Sequence, residues 1–372
     1  MKKLYQLSIV LFLSLGFLFS CSTKSERLFV GGFTKPDAKG LSVFDFNPRN
    51  GEIKLISEAQ VGPNPAYFCY SKKTNLFYVA NEVMEFNGTF GGGLTTYKYK
   101  AEDASFEKLN EMLIPYGGPC YISLSPDSSH LLIANYPNGS VAVVKLDNFG
   151  IPAIITDTIL YNKSAPDESH AHMILGDPSG KKIYVTDLGL DRVIVYDFDK
   201  NTGQLSQSEN GLVQLPEGIG PRHFVFNAIG SVLYVINELG SKMLVFNIKE
   251  NEEPGLVQIL PTTRSDFEGN NYCADVHMSK DGKFVYGSNR GENTIVTYKV
   301  EEDGTLTLAG HTSCGGDWPR NFVVDPTGKF LLVGNQKSDS ISVFRLNKKT
   351  GLPIEPGKDF LSPAPACLKF IE

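Results

Sequence analysis

Residues 220–238, GPRHFVFNAIGSVLYVINE, and residues 318–336, WPRNFVVDPTGKFLLVGNQ, decide the fold of this chain. Each consists of a short apolar strand, a turn rich in Gly, Pro, Asn or Asp, and a second apolar strand that ends in Asn before a polar residue. Two apolar strands joined by such a turn predict an antiparallel hairpin. Six segments of this kind follow one another along the sequence, at residues 64–82, 118–136, 170–188, 220–238, 273–290 and 318–336.

The spacing of these hairpins predicts a repeat architecture. Their second strands end at intervals of 54, 52, 50, 52 and 46 residues, at Asn81, Asn135, Asp187, Asn237, Asn289 and Asn335. A repeat of about 50 residues is typical of a four-stranded propeller blade with outer loops of variable length. The 36 Gly, 21 Pro and 24 Phe residues likewise favour strands and turns over helices. We therefore predict an all-β protein, a β-propeller with four antiparallel strands per blade.

A seventh blade is divided between the two ends of the chain. Residues 27–33, RLFVGGF, resemble a second strand without its first, and residues 363–372, PAPACLKFIE, resemble a first strand without its second. Pairing of these segments would close the ring and leave no open edge between the first and last blades. The prediction is a seven-bladed propeller, closed by its N- and C-terminal strands, that forms a single domain over residues 27–372.

The first 21 residues have the character of an export signal. Lys2 and Lys3 precede an apolar stretch, residues 7–19, that is too short to span a bilayer comfortably. The signal ends in Leu18-Phe19-Ser20-Cys21, which resembles the lipobox of bacterial lipoproteins and predicts lipid attachment at Cys21. Residues 22–26 would be a short linker. The alternative is an uncleaved helical anchor, and both interpretations predict a membrane-attached protein of the bacterial cell envelope, periplasmic or surface-exposed.

Charge and cysteine content exclude several classes of protein. The formal net charge of −6 offers no excess of Lys and Arg for nucleic acid, so none is predicted as a partner. Five cysteines follow Cys21, an odd number without a Cys-x-x-Cys pair or zinc-type spacing. They are expected to be buried small hydrophobic residues, with one disulfide possible in an oxidising compartment. No metal is predicted.

At two positions of the repeat the side chain differs widely from one repeat to the next, so the scaffold does not fix the residue type there. The first lies two residues before a shared core residue and is occupied by Ala66, Cys120, His172, Arg222, Ala274, Arg320 and Ala366. The second follows the terminal Asn or Asp and is occupied by Phe33, Glu82, Tyr136, Leu188, Glu238, Arg290 and Gln336. In a hairpin the start of one strand lies beside the end of the next, so both positions should surround one mouth of the channel.

Five charged or titratable residues at these positions fall in four consecutive blades: His172, Arg222, Glu238, Arg290 and Arg320. Any one of them alone would usually be solvated or structurally paired. Several charges at one end of a channel instead favour a ligand site. Arg320 is predicted to bind substrate, and so are the adjacent His170, His223 and Asp275, which otherwise would be supporting residues or ordinary strand polarity.

The sequence around these residues resembles the lactonase family of seven-bladed propellers, typified by the bacterial propeller-type 6-phosphogluconolactonase and related to fungal carboxymuconate cycloisomerase. The resemblance covers nearly all of the chain after the signal segment. It is carried by GPRHFVF and VINELGS around Arg222 and Glu238, by SKDGKFVYGSNRG around Arg290, and by residues 318–344 around Arg320. In the fungal relative a His, two Arg and a Glu form the functional set, which implies catalytic roles for His172, Arg222, Arg290 and Glu238.

These residue types permit hydrolysis of a lactone. A neutral His can take a proton from water, and an arginine can stabilise the oxyanion or bind an acidic group, while Glu238 orients an arginine or moves a proton. No cofactor is predicted, and no phosphate loop, dinucleotide fingerprint or nucleophile elbow is present. The predicted partner is a small anionic substrate, a sugar lactone or carboxylate, which export from the cytoplasm suggests is unphosphorylated. A carboxymuconate-type cycloisomerase and a non-enzymatic ligand-binding or scaffold propeller remain alternatives.

Overall fold

The repeats fold into seven antiparallel sheets around a central channel. The computed structural model describes residues 25–34, 39–161, 168–250, 252–354 and 359–371, and within them every regular element is a β-strand. The predicted signal segment and its lipobox Cys21 lie outside the described residues. Within the described residues no helix is long and apolar enough to cross a membrane.

Each blade has its innermost strand first in the following lists. Blade 1 joins both ends of the chain: β31 (Pro365–Phe370), β1 (Glu26–Gly32), β2 (Gly40–Phe46) and β3 (Ile53–Gln60). Blade 2 contains β4 (Pro65–Ser71), β5 (Leu76–Asn81), β8 (Gly92–Lys100) and β9 (Ser105–Ile114), with a small hairpin of β6 (Glu85–Phe86) and β7 (Thr89–Phe90). Blade 3 contains β10 (Pro119–Leu124), β11 (His130–Asn135), β12 (Ser140–Leu146) and β13 (Pro152–Leu160).

The remaining blades follow the same order. Blade 4 contains β14 (Ala171–Gly176), β15 (Lys182–Asp187), β16 (Arg192–Asp199) and β17 (Gln204–Gln214). Blade 5 contains β18 (Pro221–Phe226), β19 (Val232–Asn237), β20 (Lys242–Asn247) and β21 (Gly255–Pro261). Blade 6 contains β22 (Tyr272–Met278), β23 (Phe284–Arg290), β24 (Thr294–Val300) and β25 (Leu306–Ser313). Blade 7 contains β26 (Pro319–Val324), β27 (Phe330–Asn335), β28 (Ser340–Leu346) and two short outer strands, β29 (Pro353–Ile354) and β30 (Asp359–Leu361).

The predicted closure of the ring is confirmed. Strand β1 pairs antiparallel with β31, with Leu28 opposite Phe370 and Val30 opposite Leu368. The backbone N–H of Phe33 continues the pairing by donating to the carbonyl oxygen of Ala364 at 3.2 Å. The N- and C-terminal strands therefore complete one blade, and the predicted all-β, seven-bladed architecture is correct.

A β-bulge recurs near the start of every innermost strand. The register between the first two strands of each blade shifts there, and the shift contains the first of the two variable positions identified in the sequence. A bulge inserts an extra residue without a cross-strand partner and redirects its side chain. The variable positions tolerate different side chains because the ladder does not depend on them. The bulged residues are Ala66, Cys120, His172, Arg222, Ala274 with Asp275, Arg320 and Ala366.

The terminal Asn of the repeat has a structural role in fastening the preceding loop. Asn81 donates from Nδ2 to the carbonyl oxygen of Val61 at 3.0 Å, and Asn289 donates to that of Thr262 at 2.7 Å. Asn335 makes the equivalent bond to Cys314 at 3.1 Å. These buried amides satisfy backbone groups that would otherwise lack partners, which explains why the residue recurs.

The core lies between the blades and is filled by apolar side chains from the three inner strands. Large aromatic residues such as Phe29 and Phe77, whose rings are 4.9 Å apart, are fully buried. All five cysteines after Cys21 are buried and unpaired, as expected of small hydrophobic residues. Burial raises the pKa of Cys367, in the closing strand, to about 11, so this thiol stays protonated at neutral pH.

Candidate active site

The two variable positions of the repeat meet at one end of the channel. In five blades the first residue of the innermost strand lies opposite the terminal Asn or Asp of the next strand, as Pro221 lies opposite Asn237. In blade 6 the second residue, Cys273, lies opposite Asn289. The bulged side chain is therefore beside the side chain that follows the terminal residue. This geometry brings Arg222 and Glu238 together within blade 5 and places Arg290 of blade 6 next to them.

Glu238 lies between two guanidinium groups. Its Oε2 is 2.9 Å from Nε of Arg222 and 2.8 Å from Nη2 of Arg290. Arg222 also donates from Nη1 to the carbonyl oxygen of Ala274 at 2.6 Å, and Arg290 donates to two carbonyl oxygens of β22 at 3.0 Å each. Both arginines are at least 96% buried. Buried charges are tolerated when they are paired and hydrogen-bonded, so this cluster fixes two cations in the channel.

Glu238 and Arg290 both remain ionised within the cluster. Burial alone would raise the pKa of Glu238, but Arg290 and Arg222 outweigh it, and the pKa of this carboxyl is lower than usual. Burial and the neighbouring Arg222 lower the pKa of Arg290 to about 10, which still leaves it protonated at neutral pH. The cluster therefore carries a net positive charge and favours an anion.

Arg320 faces a second carboxylate that the sequence-based site did not include. Its Nη2 is 3.9 Å from Oε2 of Glu82, and its guanidinium lies 4.9 Å from the ring centre of Phe33. Glu82 Oε2 is buried and has no hydrogen-bond partner within the described part of the chain. Burial raises the pKa of Glu82 even though Arg320 and Arg222 oppose the shift. Glu82 and Glu238 therefore occupy matching repeat positions but have pKa shifts of opposite sign.

His172 is a buried imidazole at the bulge of β14. Its ring centre is 5.6 Å from that of Tyr136 and 5.1 Å from that of His223. Nδ1 of His172 is buried without a hydrogen-bond partner among the described residues. Burial, followed by the charge of Arg222, holds the pKa of His172 well below its ordinary value. The ring is therefore neutral at physiological pH and has a lone pair with which to accept a proton.

This fold and this cluster can be compared with known proteins. Residues 27–370 match the model of a family described as a lactonase with a seven-bladed β-propeller, which is almost the whole of the chain. The chain belongs to this lactonase family.

Individual relatives extend over the same length. A Formosa agariphila protein named 6-phosphogluconolactonase is 30% identical over 334 residues, 87% of this chain and 93% of the relative. The Bacillus subtilis 6-phosphogluconolactonase is 28% identical over 353 residues, 92% of this chain and 97% of the relative. The structure of a Pseudomonas aeruginosa periplasmic gluconolactonase superposes with a TM-score of 0.88 at 29% identity, covering 94% of this chain and 99% of that one.

His170 lies at the edge of the cluster in this lactonase. Its ring stacks on Tyr136, with ring centres 4.6 Å apart and an interplanar angle of 12°, and its Nδ1 is 3.1 Å from the Tyr136 carbonyl oxygen. Tyr136 and Trp318 are aromatic residues beside the charged cluster, and the Trp318 ring centre is 5.3 Å from the guanidinium of Arg290. Aromatic faces beside hydrogen-bonding charges suit a ligand with both apolar and polar surfaces.

His223 and Asp275 each lie one residue further along their strands than Arg222 and Ala274. His223 follows Arg222 in β18 and is buried, and its Nδ1 is 2.7 Å from Oδ1 of Asp275. Asp275 is buried as well, and its Oδ2 is 2.9 Å from Nε2 of His277. The predicted set thus contains the residues of the charged cluster and, beside them, two residues that contact one another.

Glu82 is the main residue that the sequence-based site lacked. Its signal was present in the sequence, because it follows a terminal Asn as Glu238 does. Its pairing with Arg320 was hidden because the two residues are 238 positions apart in the sequence. They belong to blades 2 and 7, which come close only because blade 1 closes the ring between them.

Proposed function

We propose that the chain opens a sugar lactone to the corresponding aldonate, with His172 as the general base. The observation that carries this proposal is the unpartnered, buried Nδ1 of a neutral imidazole beside a cluster of arginines. Water would attack the carbonyl carbon while His172 takes its proton, and the carbonyl electron pair would move to the oxygen. Collapse of the tetrahedral intermediate then breaks the bond to the ring oxygen, which leaves with a proton as the carboxylate forms.

The arginines would stabilise the charge that develops on the carbonyl oxygen. A guanidinium has five N–H donors. The contacts of Arg222 within the described residues involve Nε and Nη1, so Nη2 is available to a ligand. Donors already fixed by Glu238 and by backbone carbonyls need no reorganisation when the oxyanion forms, which is the condition for effective electrostatic catalysis. Arg320, whose Nη2 is 3.9 Å from the carboxylate of Glu82, would bind a further polar or acidic group of the substrate.

Glu82 is suited to protonate the departing ring oxygen. A carboxyl whose pKa is raised by burial retains its proton at a higher pH than usual and can act as a general acid. Glu238, whose pKa is lowered, stays ionised between its arginines. Because their pKa shifts are opposite, Glu82 would act as the general acid, and Glu238 would hold the arginines in place as an anion.

This assignment of Glu82 predicts the basic limb of the pH–rate profile. Activity that depends on protonated Glu82 is present at low pH and declines as pH rises through its raised pKa. Glu82→Gln should lower kcat about 10- to 100-fold, less than a full loss of acid catalysis because the amide still donates a hydrogen bond. It should also flatten the basic limb. The matched control is Glu217→Gln, an exposed carboxyl in the loop before β18; an unchanged basic limb in Glu82→Gln would remove Glu82 from the mechanism.

The predicted export signal and the structural relative favour an unphosphorylated aldonolactone as the substrate. The structural relative is named a periplasmic gluconolactonase, whereas the two sequence relatives are named 6-phosphogluconolactonases. A decisive experiment follows proton release on mixing the protein with aldonolactones, with and without a phosphate group, above the spontaneous rate measured with heat-inactivated protein. Faster opening of the unphosphorylated lactone supports the proposal. Preference for the phosphorylated lactone, isomerisation of a muconate-type dicarboxylate, or turnover of none of them would contradict it.

We further propose that the mature protein is held at the bacterial cell envelope through a lipid on Cys21. The support is the apolar stretch that ends in Leu18-Phe19-Ser20-Cys21. Cys21→Ser should move the protein from the membrane fraction to the soluble fraction, while the thermal unfolding of the propeller stays unchanged. Ser20→Ala, which keeps a small residue before the cysteine, is the control. A Cys21→Ser protein that still sediments with membranes after a high-salt wash would refute lipid anchoring.

A further inference from the structure

A buried carboxylate with hydrogen-bond donors on both of its oxygens lies beside the arginine cluster. Asp275 Oδ1 accepts from Nδ1 of His223 at 2.7 Å and from the backbone N–H of Val276 at 3.0 Å. Oδ2 lies 2.9 Å from Nε2 of His277, and the side-chain amide of Asn321 also donates to it. Burial alone would raise the pKa of Asp275, but His277 and His223 hold it well below its ordinary value. Asp275 is therefore a carboxylate with donors on both oxygens.

The carboxylate dictates which nitrogen of His223 carries the proton. Nδ1 faces an acceptor that has no proton to give, so Nδ1 must be the donor. Nε2 then carries the lone pair, and it lies 3.4 Å from Nη1 of Arg222. A guanidinium only donates, so this contact is favourable in the Nδ1–H tautomer and repulsive in the other. Burial, followed by the charge of Arg222, lowers the pKa of His223 to about 4, in agreement with a neutral ring.

Asp275 and Arg222 are also joined through the backbone. The carbonyl oxygen that accepts from Arg222 Nη1 belongs to Ala274, the residue before Asp275 in the same bulge of β22. The position of one guanidinium nitrogen thus depends on a carbonyl and an imidazole that are both fixed beside Asp275. Arg222 is the arginine to which the proposed function assigns the oxyanion.

We propose that Asp275 is a positioning residue, which fixes the tautomer of His223 and so holds the guanidinium of Arg222 in its catalytic position. Asp275 itself does not reach the substrate, and no proton leaves it during the reaction. The proposal rests on the proposed function for the role of Arg222, but the hydrogen-bond arrangement that it requires is independent of activity.

A purely structural role is the alternative that the experiment must separate. Asn321 accepts from the backbone N–H of Leu368 at 2.6 Å, so hydrogen bonds run from His223 through Asp275 to the closing strand β31. If this series of hydrogen bonds only holds four blades together, its loss would lower stability without a selective effect on the chemical step. If it positions Arg222, kcat falls while KM changes little, because the oxyanion exists only after attack.

The direct test is the protonation pattern of the His223 ring in the full-length protein. With ¹⁵N-labelled histidine, the chain gives signals from six rings, and His223→Gln assigns those of His223. We expect a protonated Nδ1 and an unprotonated Nε2 at neutral pH. A wild-type protein with the proton on Nε2 would overturn the proposal, even if no variant of Asp275 folds and even if no lactone is turned over.

The kinetic test uses Asp275→Asn with Asp325→Asn as its control. The amide places a donor on one side of the site, so the Nδ1–H tautomer of His223 is no longer enforced, and kcat should fall about 10- to 100-fold. Asp325 is another fully buried carboxylate, which accepts from the backbone N–H of Lys329 and Phe330 in a turn of blade 7. Its replacement should lower the melting temperature but leave kcat and the His223 signals unchanged. A folded Asp275→Asn protein with wild-type kcat would refute the positioning role.

Discussion

Replacement of His172 by Ala is expected to lower kcat/KM by about 10²- to 10⁴-fold, the usual contribution of a positioned general base. The fold should accept the change, because the bulge that carries His172 in blade 4 carries Ala66 in blade 2 and Ala366 in blade 1. The substitution also removes a buried Nδ1 that has no partner among the described residues. The thermal unfolding midpoint should therefore stay the same or rise while the rate falls.

The matched control for His172 is His311→Ala. His311 lies on the outermost strand β25, where its Nε2 is 2.9 Å from the carbonyl oxygen of Thr262. Its loss should leave lactone hydrolysis unchanged. If His172→Ala retains the wild-type rate on a lactone that the parent opens, the base must be sought elsewhere in the channel.

The lowered pKa of His172 has consequences for both rate and stability. The neutral ring persists below the ordinary histidine value, so the acid limb of the pH–rate profile should lie on the acidic side of about 6.5. In the unfolded chain His172 takes up a proton near that value, whereas in the folded chain it does so only at lower pH. The unfolded state then binds more protons, and stability falls as pH decreases through this window. His172→Ala should reduce that loss of stability, which acid titration of the unfolding midpoint would measure.

The fold was predictable because its information is local and repeated. Each hairpin, such as residues 220–238, specifies its own strands and turn, and the terminal Asn fixes the preceding loop in blade after blade. The blade divided between the chain ends, blade 1, could also be predicted, since RLFVGGF and PAPACLKFIE complement each other. Repetition converts weak strand propensities into a strong signal.

The site was predictable only to the extent that it follows the repeat. Residues at the bulge, such as Arg222, stood out because their counterparts in other blades are small. The pairing of Arg320 with Glu82 depends on distances across the ring, which no local pattern contains. The contact between His223 and Asp275 was likewise hidden, because alternation along a strand indicates which face a residue occupies but not how a bulge redirects its side chain.

Arg222→Ala is expected to lower kcat and kcat/KM together by about 10²- to 10³-fold, as does removal of one donor to an oxyanion. Glu238 keeps its contact with Arg290 at 2.8 Å, so the carboxylate is not left unpaired and the cost to stability should be small. Arg222→Lys should recover only part of the rate, because the single nitrogen of an ammonium group cannot reproduce the separate guanidinium nitrogens that face Glu238 and the Ala274 carbonyl.

Guanidinium ions supply the most specific test of this assignment. In the Arg222→Ala protein the space left by the side chain is bordered by Glu238 and by the Ala274 carbonyl, so added guanidinium should bind there and restore part of kcat. Arg345→Ala is the control, since that guanidinium lies 4.8 Å from the Phe330 ring centre, on β28 away from the bulges. It should neither lose activity nor respond to guanidinium. A wild-type kcat in Arg222→Ala would mean that the contacts of Arg222 with His223, Ala274 and Glu238 are only structural. The oxyanion would then be stabilised by Arg290 or Arg320.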